Sequence, residues 1–564
     1  MIRDAIRASV VAILLPMSSA MAQQMPPMPE GTGSITGHVT AADTGKPIRG
    51  ALVEIVIYNN TSSRFPRVTT DAEGKFEFIK LPAGRYQIAS QAARYVRLQY
   101  GQQQAGPAGL LNPPRIIELA DGQAFANADF ALSSFGAIEG TIVDEFGDPV
   151  PNAAVQVSQV QYAGGRRRLV PASRSAEAGP GGLTDDQGRF RVGGLTPGDY
   201  YVEALSGAFA DPSAAGGFAV TFFPGTTKSA SAQAVSVRPG TDATTVSFAL
   251  TPAAMARVAG TLVDGSGKLL AGGNLMLMPS ETTGSALMAI VRSAADANGR
   301  FIFRNVPPGI YTIQAYGAPV GSGGNLGAMA FGYQTFTVDG RDLDSLTVTV
   351  PAPRTVRGHI TFDGDMALLP KKADEVFLST RPVNFESAPI GGGPAPTTIR
   401  EDWTFEISAM SGLRLITAES RQGWTMKRVT VNGRDVTDVP LDLREADVNG
   451  VEVVLTTRTS TVTGTIVDAG EKPLRDHSVV IFADDETKWT VWSRYVTFSR
   501  SGQQGTFTVK GLPAGSYLAV GVQSTTNGEW QDPDFLKKLR ASGDAVRFAL
   551  IDEGSATFKV IVRK

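Results

Sequence analysis

The chain has 564 residues, of which 42% are hydrophobic and 19% charged, a composition that excludes disorder as its main state. Its formal charge of -2 excludes the clustered surplus of cations that a dedicated nucleic-acid binder needs, so no nucleic-acid partner is expected. The chain has no cysteine, which excludes thiol catalysis, disulfide bonds and thiolate metal sites.

The N-terminal segment predicts export. A net positive start, an apolar run over residues 8–15 and the small-residue end Ala20-Met21-Ala22 together have the pattern of a signal peptide over residues 1–22, with cleavage after Ala22. The apolar run is too short to span a bilayer, so we expect no membrane span and a periplasmic or extracellular location. Residues 23–33, rich in Pro, Gln and Met, are predicted to be a flexible leader.

A unit of about 100 residues then repeats along the chain, as a fixed long period in a sequence indicates. Each copy opens with the pattern apolar-x-Gly-x-apolar, which is typical of a strand whose glycine makes room for a crossing backbone or bulky side chain. The five opening glycines are Gly37, Gly140, Gly260, Gly358 and Gly464.

A second signature lies downstream in four of the copies. It has the form Asp-x-x-Gly-[Lys/Arg]-Phe, degenerate in the last copy, and predicts a hairpin turn in which glycine supplies a positive φ. A tyrosine stands ten residues after each phenylalanine. The fourth copy departs from the pattern, with Trp403 before its phenylalanine and Leu415 in the tyrosine position. The structural turn glycines are Gly74, Gly188, Gly299 and Gly505.

Short alternating apolar segments between Gly/Pro turns predict an all-β fold, a tandem array of about five antiparallel β-sandwiches. An acidic cap, an early proline and a basic end predict one short helix near 532–540. The predicted domains are sandwich 1 at 34–133, sandwich 2 at 134–252, sandwich 3 at 253–352, a divergent sandwich 4 at 353–458 and sandwich 5 at 459–564.

Together these signatures resemble the carboxypeptidase regulatory-like domain, a transthyretin-like (prealbumin-type) β-sandwich. The resemblance extends over nearly all of the predicted mature chain as tandem copies, as in secreted bacterial proteins. It implies the fold of each copy and implies little about function, because the family accompanies zinc carboxypeptidases and also occurs alone or in arrays, often grouped with carbohydrate-binding-like folds.

The sequence offers no catalytic, cofactor-binding or metal-binding set. A zinc carboxypeptidase needs a His-x-x-Glu pair with a further histidine, and none of His38, His359 and His477 has Glu three residues later. The chain is therefore predicted not to be an enzyme and to hold no cofactor. The basic stretch 166–168 is interpreted as a solvated loop tip, with contact to an anionic polysaccharide as the alternative.

The densest aromatic segment lies in sandwich 5. Aromatic faces with polar edges suit sugar recognition, whereas alternation along a single strand would point neighbouring rings in opposite directions and favour packing instead. The candidate glycan platform consists of Trp489, Trp492, Arg494, Tyr495 and Trp530.

These observations favour a secreted, non-catalytic multi-domain scaffold or adhesion protein of the cell envelope, with polysaccharide or envelope proteins as partners. If five sandwiches lay in line, their reach would be about 170 Å. The alternatives are a carbohydrate-binding protein with a specific glycan site and an accessory subunit of a partner hydrolase or peptidase.

Overall fold

A computed structural model describes the chain over thirteen stretches, and every structural statement below refers to them. The predicted signal peptide and residues 23–29 of the predicted leader lie outside the described residues. By its internal contacts the chain divides into two compact units, Met1–Ser134 and Phe135–Lys564. The described stretches are 30–58, 66–102, 114–172, 182–205, 217–240, 244–280, 291–317, 330–389, 395–420, 422–475, 477–502, 504–523 and 528–562.

The first unit holds sandwich 1, and its first strand begins at Gly33, inside the predicted leader. The strands are β1 (Gly33–Ala41), β2 (Leu52–Tyr58), β3 (Arg67–Thr69), β4 (Lys75–Leu81), β5 (Gly84–Gln91), β6 (Leu98–Gln99), β7 (Ile117–Leu119), β8 (Ala124–Phe125) and β9 (Phe130–Leu132).

Sandwich 2 opens the second unit. Its strands are β10 (Gly136–Val143), β11 (Ala154–Ala163), β12 (Arg166–Pro171), β13 (Arg189–Leu195), β14 (Gly198–Leu205), β15 (Gly217–Phe218), β16 (Thr221–Phe222), β17 (Val235–Val237), β18 (Thr244–Thr245), β19 (Phe248–Ala249) and β20 (Pro252–Ala253). The strands of sandwich 3 are β21 (Ala256–Asp264), β22 (Asn274–Pro279), β23 (Val291–Ala294), β24 (Arg300–Val306), β25 (Gly309–Tyr316), β26 (Phe331–Val338) and β27 (Leu343–Val350).

Sandwiches 4 and 5 complete the second unit. Sandwich 4 has β28 (Arg354–Asp363), β29 (Val376–Pro382), β30 (Thr397–Ile399), β31 (Thr404–Met410), β32 (Leu413–Ser420), β33 (Thr425–Val431), β34 (Arg434–Asp435), β35 (Leu441–Asp442) and β36 (Val448–Thr456). Sandwich 5 has β37 (Thr461–Val467), β38 (Ser478–Ala483), β39 (Val496–Arg500), β40 (Thr506–Lys510), β41 (Gly515–Val522), α1 (Pro533–Ala541), β42 (Val546–Leu550) and β43 (Ser555–Ile561).

The predicted all-β class, a tandem array of transthyretin-like sandwiches, is confirmed. The sheets are not purely antiparallel, however. In sandwich 3 the opening strand β21 pairs antiparallel with β24 on one side and parallel with the closing strand β27 on the other, and β37 does the same with β40 and β43. The closing strand reaches this sheet by crossing from the other sheet, so it arrives in the direction of the opening strand.

This parallel pair explains the opening glycines. A Cβ atom built on Gly464 would lie 2.6 Å from the ring of Phe507 and would also collide with the carbonyl oxygen of Phe558 on the closing strand. The other four opening glycines face a carbonyl of their own closing segment in the same way. Glycine is therefore required because two backbones approach more closely than a side chain allows.

Each sandwich has its own core, built from the alternating apolar residues of its two sheets. In β1, for example, Ile35 and Val39 are fully buried on the face that includes Gly37. Separate cores of the same kind lie in the other four sandwiches. None of the helices in the described stretches is long and apolar enough to cross a membrane.

Sandwich 4 keeps the hairpin whose sequence signature is lost. Trp403 occupies the position of the turn glycine and has a φ of +64°. Its carbonyl accepts the Ile360 amide at 2.9 Å, the bond that the turn glycines make in the other sandwiches. Its ring packs edge-to-face on Phe362, 4.8 Å between centroids, which offsets the strain of a positive φ in a bulky residue. The pairing of β33 with β36 also joins the two sheets of this sandwich into one.

Candidate functional site: contacts between the sandwiches

Trp489, the first residue of the candidate glycan platform, lies in a hydrophobic core of sandwich 5. The side chain is 7% exposed and its Nε1 donates to the carbonyl of Ala483 at 2.8 Å. The indole meets Phe482 edge-to-face with 5.5 Å between centroids. This second core of sandwich 5 lies between one sheet and α1, the helix found where the sequence predicts one.

Trp492 points away from that core and contacts sandwich 4. Its Nε1 donates to the carbonyl of Pro382 at 3.0 Å, and the guanidinium of Arg381 lies 5.2 Å from the ring centroid. Both partners stand at the end of β29. A hydrogen bond and a cation–π contact thus hold the ring at the joint between sandwiches 4 and 5.

Arg494 forms the charged part of the same joint. Its Nε and Nη2 donate to the two carboxylate oxygens of Asp438 in sandwich 4, at 2.8 and 3.0 Å. Burial acts to lower the pKa of Arg494, but the hydrogen bonds and charge of Asp438 outweigh it, so the pKa lies above its usual value. A bidentate ion pair of this kind fixes the relative orientation of the two side chains as well as their separation.

The other two platform residues also pack within sandwich 5. Tyr495 is partly buried against the main core, with the ammonium of Lys488 at 4.8 Å from its ring centroid, and its side chain also hydrogen-bonds Asp438 of sandwich 4. Trp530 stacks on Phe498 at 6.2 Å between centroids, and its buried Nε1 has no hydrogen-bond partner among the described residues. The structure therefore distributes the five candidate side chains over two cores and one joint and does not bring them together on one exposed face.

A second joint, which the sequence does not reveal, links sandwiches 3 and 4. Glu386 lies in a short 3-10 helix, Phe385–Ser387, that follows β29. Its carboxylate accepts hydrogen bonds from Ser280 Oγ at 2.5 Å and Thr335 Oγ1 at 3.0 Å, both on sandwich 3. The buried Gln314 donates to the carbonyls of Glu386 and Ala388 at 3.1 and 2.8 Å.

Arg414 supports this helix from within sandwich 4. It is 8% exposed, and its Nη2 donates to the carbonyl of Ser387 and its Nε to that of Ser411, both at 2.9 Å. Burial lowers its pKa from the usual value for arginine. A buried charged side chain is thus used to fix the segment that reaches across to sandwich 3.

The three histidines occupy separate surface positions, each beside a local oxygen. His38 lies 3.5 Å from Asp129, His359 lies 3.9 Å from Glu452, and the Nδ1 of His477 is 3.1 Å from the carbonyl of Arg475. Within the stretches that the structure describes, no three potential metal-ligating side chains come together.

The four structural turn glycines all have positive φ values, between 69° and 73°. A Cβ atom at Gly74, Gly299 or Gly505 would lie 2.5, 3.0 or 2.8 Å from a carbonyl oxygen of the opening strand. The preceding aspartate closes each regular turn. In sandwich 2, Asp185 Oδ1 accepts the amides of Gln187 and Arg189 at 3.0 and 2.8 Å, and these hydrogen bonds hold its pKa below the usual range.

A tyrosine ten residues further on fixes the next corner. The hydroxyl of Tyr86 donates to the carbonyl of Pro82 at 2.6 Å, and Tyr517 donates to that of Pro513 at 2.7 Å. Tyr200 makes the same contact with Thr196. The repeated residues therefore serve the fold, and the side chains with individual partners, such as Glu386 and Arg494, serve the joints.

The chain is a tandem array of transthyretin-like β-sandwiches. Residues 34–133, which form sandwich 1, match the carboxypeptidase regulatory-like domain family, so the predicted resemblance is confirmed there. A comparison of the sequence with curated proteins finds no match.

Solved structures align with this chain at low identity. The Bacillus anthracis TIE protein is 12% identical, with 91% of this chain and 68% of that chain covered and a TM-score of 0.14. The minor pilin GBS52 of Streptococcus agalactiae is 16% identical over 39% and 96%, with a TM-score of 0.23. The major pilin BcpA of Bacillus cereus is 13% identical over 55% and 98%, with a TM-score of 0.15. At these values the alignments carry no argument about function.

Proposed function

We propose that this chain is an exported, non-catalytic scaffold of the cell envelope that acts by holding several β-sandwiches in fixed positions for contact with envelope proteins. The proposal has two parts: a mechanical part, that the sandwiches are held in fixed positions, and a location part, that the chain is exported to the cell envelope. The mechanical part depends on the joints between sandwiches 3, 4 and 5, and the location depends on the predicted signal peptide.

The mechanical part is supported by the interdomain contacts of two side chains that are distinctive in the sequence. Trp492 and Arg494, which the sequence offers for ligand binding, are engaged by Pro382, Arg381 and Asp438 of the neighbouring sandwich. Such contacts oppose the independent motion that is the default for domains joined only by linkers.

A fixed arrangement suits binding at several points. Sandwiches that are held relative to one another present their surfaces at defined separations, so a partner that contacts two of them gains from a high effective concentration. This gain in affinity is lost when a joint loosens, because binding must then also meet the entropy cost of ordering the domains. Function in this proposal therefore depends on side chains that never touch the partner.

The location part rests on residues 1–22, whose basic start, apolar core and Ala-Met-Ala end predict cleavage after Ala22. The measurement is N-terminal sequencing of the chain recovered from the envelope fraction. A mature chain that begins at Gln23 is expected. A chain that retains Met1 would contradict export.

The proposed function is tested with the full chain, tagged at its C-terminus and expressed in its own host. Chemical cross-linking in intact cells, followed by purification, should capture envelope proteins reproducibly. The Arg494→Ala variant should capture less, and Arg444→Ala, which breaks a pair with Asp442 inside sandwich 4, should capture as much as the wild type.

The same purified protein is applied to a glycan array and to polysaccharide-affinity electrophoresis. No specific retention is expected. Retention on a defined glycan with no captured protein would contradict the scaffold and favour the carbohydrate-binding alternative. If a single hydrolase or peptidase were captured equally by the wild type and by Arg494→Ala, this result would contradict the scaffold proposal and favour the accessory-subunit alternative.

A further inference from the structure

Two elements of the second unit depart from the common repeat. The first is the hairpin formed by β11 and β12 in sandwich 2. Its strand β11 has 10 residues, against 7 and 6 in the corresponding strands β29 and β38. The two strands stay paired up to a turn of two glycines, Gly164 and Gly165, with φ of +58° and +78°. Such a turn continues the twist of a hairpin and extends it as a projecting arm.

The second departure is the segment 528–541 in sandwich 5. It begins with a short 3-10 helix, Glu529–Gln531, and continues into α1, which Asp532 caps by accepting the Asp534 amide at 3.1 Å. In the described stretches of the other sandwiches no α-helix stands at this position. Among the described stretches the segment distinguishes sandwich 5, as the long hairpin distinguishes sandwich 2.

These two additions contact each other. A Cβ atom built on Gly165 would lie 2.6 Å from the carbonyl oxygen of Gln531, and one on Gly528 would collide with the carbonyl of Tyr162. A Cβ atom on Gly164 would lie 2.8 Å from Val491 Cγ1 and 3.5 Å from the ring of Trp492. Backbone meets backbone here, and the glycines make the approach possible.

The charges of the two elements are complementary. The hairpin carries the three consecutive arginines 166–168, and the segment carries Glu529 and Asp532. Burial raises the pKa of the Tyr162 hydroxyl; the negative charges of Glu529 and Asp532 raise it further, and Arg167 lowers it. Arg167 of the hairpin and both acidic residues of the segment thus lie close enough to act on the Tyr162 hydroxyl.

We infer that the hairpin β11–β12 and the segment 528–533 form an intrachain clasp that fixes sandwich 5 against sandwich 2. Contacts then connect sandwich 2 to 5, 5 to 4 and 4 to 3, so these sandwiches do not lie in line as the repeat alone would suggest. The basic stretch 166–168 is exposed at Arg166 and Arg167, as the solvated-tip interpretation expects, but it begins strand β12 and is not a loop tip. Trp492 stands where sandwiches 2, 4 and 5 meet. This inference is independent of the proposed envelope function.

The lack of native cysteine allows a direct test by disulfide trapping in the full chain. Because Val491 Cγ1 is one bond from its Cβ, a Cβ at position 164 lies at most about 4.3 Å from that of Val491, within the range of a disulfide. The pair Gly164→Cys with Val491→Cys should oxidise within one chain. The control pair Gly147→Cys with Val491→Cys uses a turn glycine of sandwich 2 with φ of +88° and open space around it, and it should stay reduced. A clasp pair that remains reduced would overturn the inference.

A second measurement introduces no cross-link and instead weakens the contact between the hairpin and the segment 528–533 by substitution. Spin labels are placed at Phe146→Cys and Ile551→Cys, which are 83% and 73% exposed on sandwiches 2 and 5. Gly165→Asn puts a Cβ against Gln531, whereas Gly267→Asn, at a similar φ of +85°, meets no atom within 4 Å. The distribution of distances between the labels should broaden with Gly165→Asn and stay narrow with Gly267→Asn. Equal distributions in both variants would refute the clasp.

Discussion

The joint between sandwiches 4 and 5 gives a prediction that can be worked out from its geometry. Asp438→Ala and Arg494→Ala each remove one partner of the interdomain pair, and the double variant removes both. The two side chains are 34% and 27% exposed, so the pair lies between the surface and buried limits. Exposed pairs contribute about 0.2–1 kcal/mol, and breaking a buried pair costs about 3–5 kcal/mol. With two nearly ideal hydrogen bonds and partial screening by solvent, we expect a coupling energy of about 1–2 kcal/mol.

The assay is urea unfolding followed by fluorescence, and it uses the positions of the tryptophans in the chain. All five tryptophans of the chain lie in sandwiches 4 and 5, at positions 403, 424, 489, 492 and 530. Tryptophan fluorescence during urea unfolding therefore reports on these two sandwiches and on the contact of Trp492 with the hairpin of sandwich 2. A double-mutant cycle isolates the pair from the other effects of each substitution. The matched control is the cycle for Arg444 and Asp442, an exposed pair inside sandwich 4, which should show much weaker coupling. Coupling between Asp438 and Arg494 below about 0.3 kcal/mol, the level of ordinary surface pairs, would refute the account of the joint.

Two further substitutions test the core and the turns. Trp489→Ala should destabilise sandwich 5 by about 3–5 kcal/mol, because it empties a buried site, and a smaller loss with glycan binding abolished would return Trp489 to the platform hypothesis. Gly188→Val should lower the melting temperature of sandwich 2 more than Gly147→Val does, since both place a β-branched residue at positive φ but only a Cβ at Gly188 collides with the Ile142 carbonyl. Equal melting temperatures for these two variants would show that the close approach at Gly188 has no energetic weight.

The fold could be predicted from the sequence because its signals are local and repeated. An aspartate, a glycine and an aromatic residue within six positions specify a turn by themselves, and four copies in register, one of them degenerate, exclude coincidence. Trp403 shows the limit of this approach, because its positive φ is sustained by packing on Phe362, which no local pattern encodes. The parallel closing strand also escaped prediction, since strand direction depends on a crossover between sheets.

The candidate site was harder to predict for a related reason. Trp492 and Arg494 were recognised as distinctive, but their partners Pro382 and Asp438 lie 110 and 56 residues away in another sandwich. Glu386 lies in no motif, and its partner Ser280 is 106 residues distant. A single sequence shows which side chains are unusual for their repeat and does not show which of them meet. The helix near 532–540 was predicted from the sequence and the long hairpin was not, and only the structure shows that the two contact each other.

The central claim is that sandwiches 3, 4 and 5 are mechanically coupled through their joints, and calorimetry of the full chain tests it most directly. Gly299→Val and Gly505→Val weaken the turn of sandwich 3 and of sandwich 5, where the added Cβ meets carbonyl oxygens of Leu262 and Ile466 at 3.0 and 2.8 Å. If the joints couple the sandwiches, both variants should lower the temperature of the same unfolding transition. Two separate transitions, each shifted by only one of the variants, would contradict the account.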